Sequence, residues 1–264
     1  MADRALVLST SSLHSVYGCL NRAVRRAVAR DLVRRNVVEL ADVPVGRSGR
    51  KSKALTCEQV DAVLFGTTAD RLHPYIVVSL LTGARTEELR ALRWDHVHLD
   101  GLPDARPPVP PYMEVWRSVR EGDTKTRKSR RTLALPTRCV DALRKQRAQQ
   151  AADRLAAGES WQDTGLVFTT RSGMEMDAAN VRRDLRRALS GVPGIRPAEW
   201  TPRELRHSFV SVLSDAGIPV EQIAQLVGHR GTTVTELVYR QQLRPVIQTG
   251  AMVMDELFAP TPGR

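Results

Sequence analysis

The sequence predicts a mainly helical protein with a small antiparallel β-sheet, which is an α+β fold. Apolar residues recur at helical spacing through most of the 264 residues, whereas residues 113–119 and 131–135 alternate apolar and polar side chains as strands do. Hydrophobic residues make up 42% of the chain but aromatic residues only 5%, so the core must be mostly aliphatic. The length fits one large domain or two small ones.

The first predicted helix covers residues 11–35 and carries one apolar stripe. Arg22, Arg26 and Arg30 recur every four residues on another face, which is either solvated or follows DNA phosphates. One helix cannot bury its stripe alone, so this region, residues 1–43, needs packing partners. Residues 44–53 are small, turn-forming and cationic, and they predict a basic linker at a domain boundary.

Residues 54–245 contain the clearest start and stop signals. Thr56 and Gln59 form a capping-box pattern, and residues 74–81 predict a buried helix that ends at Gly83. A short helix begins at Thr86. Residues 101–111 are rich in glycine and proline and predict a loop. The two alternating segments then form a β-hairpin, whose polar connection contains Lys125, and residues 166–169 predict another short strand.

The remainder is predicted to be helical. Residues 137–157 form one helix, and Asp177 caps a second whose buried face carries Val181, Leu185 and Leu189. The segment Thr201-Pro-Arg-Glu204 combines an N-cap, a proline and a capping-box glutamate. Further boundaries fall at Gly217, Pro219 and Gly228, and a final helix holds Tyr239. Residues 246–264 are apolar enough to predict a docking tail.

Composition narrows the function classes. A net charge of +11 favours a polyanionic partner, with nucleic acid first, although a merely soluble basic protein is the alternative. The three cysteines are isolated, which argues against a zinc site and a disulfide scaffold. The run from Ile76 to Leu81 is far shorter than the roughly 20 residues that span a bilayer. With no signal peptide visible, we expect a cytoplasmic protein.

Several cationic residues are candidates for phosphate chemistry. Arg85 stands between a glycine turn and a helix N-terminus, where a guanidinium can grip two phosphate oxygens, and Glu88 could orient it or cap the helix. Lys125 could supply a proton to a leaving oxygen. For both residues an ordinary surface ion pair or a solvated loop is the competing interpretation. The cations around Lys125, including Arg131, have no better claim than a solvated loop.

A second group lies towards the C-terminus. Arg203, Arg206 and His207 share one helical face, which suits either a phosphate site or an ion-pair cluster. His229 follows a glycine and could instead be a capping residue. Tyr239 is a weak nucleophile at its ordinary pKa near 10, and nearby cations would lower that pKa. Each residue alone is more simply explained by packing or solvation.

Taken together and in order, Arg85-x-x-Glu88-Leu89, Lys125, Leu205-Arg206-His207, Leu226-Val-Gly-His229 and Tyr239 resemble the tyrosine recombinases, or phage-type integrases. The resemblance covers residues 54–245, the expected catalytic domain. A weaker match over 11–40 makes residues 1–43 similar to the last part of a core-binding domain. The fold it implies is that of a tyrosine recombinase catalytic domain.

The resemblance also implies roles. Tyr239 would attack the scissile phosphate and form a 3′-phosphotyrosyl link, and Lys125 would protonate the leaving 5′ oxygen. Arg85, Arg206 and His229 would bind the phosphate oxygens. The partner would be double-stranded DNA, bound by a homo-tetramer on two DNA sites whose C-terminal tails dock on neighbouring subunits. No cofactor, metal, membrane or small-molecule substrate is implied.

This chain departs from the family pattern at Arg203, where a histidine usually stands. Arginine can bind phosphate but stays protonated, so it cannot act as a base. A catalytically inactive DNA-binding remnant is the main alternative, because Leu205 to Gly228 has a helix–glycine turn–helix pattern. A regulatory partner of recombinases and a type IB topoisomerase relative are further alternatives.

Overall fold

The computed structural model describes residues 2–47, 53–119, 122–123, 130–228 and 249–258. By internal contacts the chain divides into two compact units, residues 1–52 and residues 53–264. Among the described residues, no helix is long and apolar enough to cross a membrane.

The smaller unit is built on one long helix that ends earlier than predicted. Its helices are α1 (Ala2–Ala5), α2 (Thr10–Val28) and a 3-10 turn at Val37–Leu40. The prediction of helix through residue 35 is wrong, because the chain turns at Asp31, which has a φ of 56°. The Asn36 side chain then bonds to that of Asn21, which folds the following turn back onto α2.

The larger unit is mainly helical and is arranged around one buried helix, α4. Every residue of this helix from Pro74 to Thr82 is buried, so the segment has no solvent face. Helices α6 and α8 make the largest helical contacts with it. The helices here are α3 (Cys57–Gly66), α4 (His73–Thr82), α5 (Thr86–Arg90), α6 (Thr137–Ala157), α7 (Ala178–Ala188), α8 (Pro202–Asp215), α9 (Val220–Val227) and α10 (Thr249–Phe258).

The predicted start and stop signals of these helices are confirmed. Thr56 and Gln59 form the capping box of α3, and Asp177 accepts the main-chain N–H of Ala179 at the start of α7. Thr201 and Glu204 form the capping box of α8. Gly83 and Gly228 end α4 and α9 in the left-handed conformation, each with a φ of 63°.

The larger unit also contains a three-stranded antiparallel sheet. The strands are β1 (Val97–His98), β2 (Tyr112–Val115), β3 (Arg117–Ser118), β4 (Gly122–Asp123) and β5 (Arg131–Ala134). The order in the larger sheet is β1-β2-β5, and Val115 pairs with Arg131 at one end. The predicted hairpin is confirmed, with one correction: the predicted strand over residues 113–119 is divided into β2 and β3, and β3 pairs with β4, which lies in the segment predicted as a polar connection.

The predicted strand at residues 166–169 is wrong. Leu166 and Thr169 each make only an isolated bridge, to Arg93 and Glu175. The carbonyls of Leu166 and Val167 are bonded instead by glutamine side chains of α6, each at 2.9 Å. Because side chains of a helix satisfy these carbonyls, no neighbouring strand is needed there.

Candidate active site

Arg85 is held at the junction between α4 and α5. Gly83 reverses the chain, and Arg85 follows in an extended conformation as the N-cap of α5. Its main-chain N–H donates to Oε2 of Glu88 at 2.7 Å, and its Nη1 donates to Oε1 of the same residue at 2.8 Å. Glu88 therefore both caps the helix and orients the guanidinium. With 38% of the side chain exposed, Arg85 can still reach a ligand.

Arg206 is more deeply placed, on α8, with 9% of its surface exposed. Its Nη1 donates to the carbonyl of Gly83 at 2.6 Å and its Nη2 to the carbonyl of Val227 at 2.5 Å. Burial lowers the pKa of Arg206, and the charges of Arg85 and Arg131 lower it further. The guanidinium remains a cation, but one that would be stabilised by an arriving anion.

The C-terminus of α9 joins the two arginines. The last carbonyls of a helix have no intrahelical partner and carry the negative end of its dipole. Here the Val227 carbonyl binds Arg206, and the next one, that of Gly228, accepts from Nη2 of Arg85 at 3.0 Å. Two guanidinium groups are thus fixed on adjacent carbonyls. Such an arrangement can bind two oxygens of one phosphate.

A third arginine, Arg131, belongs to this cluster, although the sequence pattern did not single it out. Arg131 is 5% exposed, and its Nη1 and Nη2 donate to the two carboxylate oxygens of Glu88 at 2.9 and 2.7 Å. Its interpretation as a solvated loop cation is wrong. One signal was present in the sequence. Arg131, Leu133 and Leu135 occupy every second position of a strand, so Arg131 shares the inward face of the two leucines.

Glu88 is ionised at the centre of this cluster. Burial alone would raise its pKa, but the charge and hydrogen bonds of Arg131, together with the main-chain N–H and charge of Arg85, lower it to about 2. The cluster of Arg85, Arg131, Arg206 and Glu88 therefore keeps a net positive charge near neutral pH. Positive charge fixed before the ligand arrives is what binding of a phosphodiester requires.

The remaining predicted residues fall in different places. Arg203 is exposed in the first turn of α8, whereas His207 is partly exposed and its Nε2 is buried without a hydrogen-bond partner among the described residues. Burial lowers the pKa of His207, as does the charge of Arg203. Lys125, His229 and Tyr239 lie outside the described residues. The structure thus brings together Arg85 and Arg206, with Glu88 and Arg131.

This fold and cluster agree with comparisons to known proteins. The chain matches the phage integrase family over residues 54–244. An integrase from Streptomyces ambofaciens is 62% identical over 265 residues, which cover 100% of this chain and 68% of that protein. The chain therefore belongs to the phage integrase family of tyrosine recombinases.

More distant relatives show the same fold. The integrase of transposon Tn1549, solved with transposon right end DNA, has a TM-score of 0.62 at 19% identity, covering 96% of this chain and 81% of that one. The XerA recombinase has a TM-score of 0.55 at 17% identity, covering 97% and 85%. These similarities confirm the predicted α+β fold of a tyrosine recombinase catalytic domain.

The chain spans only part of the length of its relatives in sequence. It covers about two thirds of the Streptomyces integrase. A tyrosine recombinase XerC-like protein from Caldanaerobacter subterraneus is 24% identical over 223 residues, which cover 76% of this chain and 53% of that protein.

Proposed function

We propose that this chain cuts and rejoins double-stranded DNA at specific sites through a 3′-phosphotyrosyl intermediate on Tyr239. The observation that carries the proposal is the pair of guanidinium groups, Arg85 and Arg206, fixed on the adjacent carbonyls of Val227 and Gly228. That pair forms a ready site for the two non-bridging oxygens of a phosphodiester. The family relationship supplies the tyrosine chemistry.

In the proposed reaction, the Tyr239 oxygen attacks phosphorus and the bond from phosphorus to the 5′ oxygen breaks. The tyrosine gives its proton to a surrounding water molecule. Lys125, as an ammonium, donates a proton to the departing 5′ oxygen and regains one from water. Attack by the 5′-hydroxyl of the exchanged strand reverses these steps. One phosphodiester is traded for another, so the reaction needs no external energy source.

The other tyrosines are poorly suited to be the nucleophile, which supports the assignment to Tyr239. The chain has four tyrosines. Tyr75 is 1% exposed, and burial raises the pKa of its hydroxyl. Tyr112 of β2 is stacked on His98 of β1, and burial raises the pKa of the Tyr112 hydroxyl as well. Tyr17 lies on α2, in the other unit.

Arg203 is assigned to phosphate binding and not to proton transfer. A guanidinium stays protonated near neutral pH, so Arg203 cannot accept the tyrosine proton. It is exposed on α8 one turn before Arg206, where it can meet DNA. His229 follows Gly228 directly in sequence, and we assign it a hydrogen bond to the phosphate.

Double-stranded DNA is the partner that the charge favours. The net charge is +11, and α2 and α7 both carry exposed arginines. Because binding releases counterions from DNA, the affinity should fall steeply as salt rises. The slope of the logarithm of the binding constant against the logarithm of the salt concentration becomes more negative by roughly 0.9 for each phosphate contacted. Because this proposed partner is cellular DNA, we expect the protein to act in the cytoplasm.

We also propose a homo-tetramer on two DNA sites, joined through the C-terminal tail. In the single chain α10 packs against α4, α6 and β5, where Met254 and Phe258 are buried. Asp255 accepts the main-chain N–H of Thr137 at 2.5 Å, which caps α6. A tail that fits this surface in its own chain can fit the same surface of a neighbour.

Deletion of residues 249–264 should then reduce tetramers on paired DNA sites in light-scattering measurements, while single-site binding persists.

Covalent trapping tests the proposed chemistry. The protein is incubated with labelled DNA duplexes from the junctions of the mobile element that encodes it. Each duplex carries a nick close to a candidate cut site, and the products are resolved on a denaturing gel. We expect a band retarded by the mass of the protein, lost in Tyr239→Phe, while native-gel binding of DNA persists. DNA binding without any adduct would instead support the inactive DNA-binding alternative.

A further inference from the structure

Every acceptor position of the Glu88 carboxylate is used, and two arginines share it. Oε1 accepts from Nη1 of Arg85 and from Nη1 of Arg131, whereas Oε2 accepts from the Arg85 main chain and from Nη2 of Arg131. A carboxylate offers about four acceptor sites. Arg131 therefore holds the side of the carboxylate that Arg85 leaves open.

The shared Glu88 carboxylate affects the charge on Arg85. If the carboxylate were paired with Arg85 alone, it would neutralise the Arg85 guanidinium and draw that group inward, away from a ligand. With Arg131 present, one negative charge is divided between two cations, and a buried charge that loses one partner is costly. Glu88 is 6% exposed, so water does not replace a missing donor easily.

Arg131 also lies close to Gly228, at the end of α9. A Cβ built on Gly228 would lie 3.1 Å from Nη1 of Arg131, so the guanidinium lies against the residue whose carbonyl binds Arg85. Arg131 is the first residue of β5, which follows the connection that contains Lys125. The Arg131 side chain thus binds the Glu88 carboxylate and lies beside Gly228, the two residues that fix the Arg85 guanidinium.

We infer that Arg131 is a positioning residue for DNA cleavage, which acts through Glu88 to hold the Arg85 guanidinium in place to bind the scissile phosphate. The inference rests on the proposed function. Arg131 itself does not contact DNA in this role. Its effect is on how well Arg85 binds the negatively charged phosphate oxygens.

The test compares Arg131→Met with a matched control, Arg71→Met. Arg71 also makes a bidentate ion pair, with Asp153 at 2.9 and 2.5 Å, and its side chain is 29% exposed. Adduct formation is timed on nicked duplexes with an ordinary scissile phosphate and with a methylphosphonate, which has one uncharged non-bridging group. Melting temperature and DNA affinity are measured for each protein.

We expect Arg131→Met to slow adduct formation on ordinary phosphate by about tenfold to a hundredfold. This is at or below the roughly 10²–10³-fold cost of removing a preorganised donor itself, because Arg131 acts through Glu88. On the methylphosphonate the reduction should be smaller, because less charge needs stabilising. Arg71→Met should keep the wild-type rate. An unchanged rate in Arg131→Met, an equal reduction on both substrates, or an equal reduction in Arg71→Met would overturn the inference.

Two further measurements keep the test decisive. If Arg131→Met does not fold, Arg131→Lys, which keeps the charge but not the paired donors, should also react more slowly, and a wild-type rate would overturn the inference. If the wild-type protein forms no adduct, the proposed function fails. The inference is then judged by inorganic phosphate, which should raise the melting temperature of wild type and Arg71→Met but not of Arg131→Met; an equal rise would overturn it.

Discussion

The two units of the chain differ in how far they bury their apolar and charged side chains. On α2 of the smaller unit, Leu13 is buried but Val16 and Leu20 are 49% and 47% exposed. On α4 of the larger unit, no described position from Pro74 to Thr82 faces solvent. The larger unit can therefore fix polar groups against a rigid framework, and α2 cannot do so by its own packing.

The arginines follow the same division. Arg22 and Arg26 of α2 and Arg30 just beyond its end are exposed, and the ion pair between Arg25 of α2 and Glu39 of the following 3-10 turn is largely solvated. Arg131 and Arg206 of the larger unit are buried and point at fixed acceptors. Exposed arginines can hold DNA by charge alone, whereas stabilising a transition state requires groups already in place. Under the proposed function, the exposed arginines of the smaller unit and of α7 would hold DNA, and the buried arginines of the larger unit would serve the chemistry.

The largest effect is expected on α8, where one helix of the larger unit carries both a buried and an exposed arginine. Arg206→Ala should slow adduct formation by about 10²–10³-fold, because it removes a preorganised donor. Arg203→Ala, one turn earlier and exposed, should cost about tenfold or less. Both rates are measured on a nicked duplex at saturating protein. Equal reductions would show that burial on carbonyls does not distinguish the two arginines.

The second prediction concerns acid stability. The folded pKa of Glu88 is lowered to about 2, so its stabilising contribution is present above the unfolded pKa and is lost as pH falls through the folded one. The unfolding free energy of wild type should exceed that of Glu88→Gln by up to about 3 kcal/mol at neutral pH, and the gap should close between about pH 4.3 and pH 2. Denaturant unfolding at several pH values measures it. A gap independent of pH would contradict the charged cluster.

The third prediction concerns the turn that presents Arg85 and Arg206. A Cβ at Gly83 would lie 2.4 Å from the Phe209 ring, and its φ is 63°. Gly83→Ala should lower the unfolding free energy by about 2–4 kcal/mol, from strain and overpacking. Gly217→Ala is the control, since its φ is 79° but nothing lies within 4 Å; strain alone should cost about 1 kcal/mol. Equal decreases would mean that the Phe209 ring is unimportant.

The smallest effect is expected from the exposed arginines of α2 and of the turn that follows it. Replacing Arg22, Arg26 and Arg30 with glutamine should weaken DNA binding and reduce the salt slope by about 0.9 for each phosphate that the variant no longer binds. The rate of adduct formation at saturating protein should change little. Binding titrations of both proteins at several salt concentrations measure the two slopes. An unchanged slope would identify this face as merely solvated.

Local signals were readable from the sequence, and long-range contacts were not. The caps at Thr56, Asp177 and Thr201 depend on neighbours within three residues, and Glu88 lies three residues from Arg85. The bonds from Arg85 to Gly228 and from Arg206 to Gly83 join residues 143 and 123 positions apart. No spacing pattern encodes such contacts.

The errors have the same origin. Arg131 looked like one more cation of a basic connection, because its carboxylate partner lies 43 positions earlier. Residues 166–169 looked like a strand, because apolar composition does not reveal that glutamines of α6 bind their carbonyls. The helix at residues 11–35 was overextended, since its apolar period continued past the turn at Asp31.

The chemical identity of the covalent link tests the proposed chemistry most directly. The adduct is digested with nuclease and protease, and the modified peptide is sequenced by mass spectrometry. We predict a single 3′-phosphonucleotide on Tyr239, formed by wild type and absent from Arg206→Ala at short times. A nucleotide on Tyr17 or on any serine, or an adduct formed equally fast without Arg206, would contradict this mechanism.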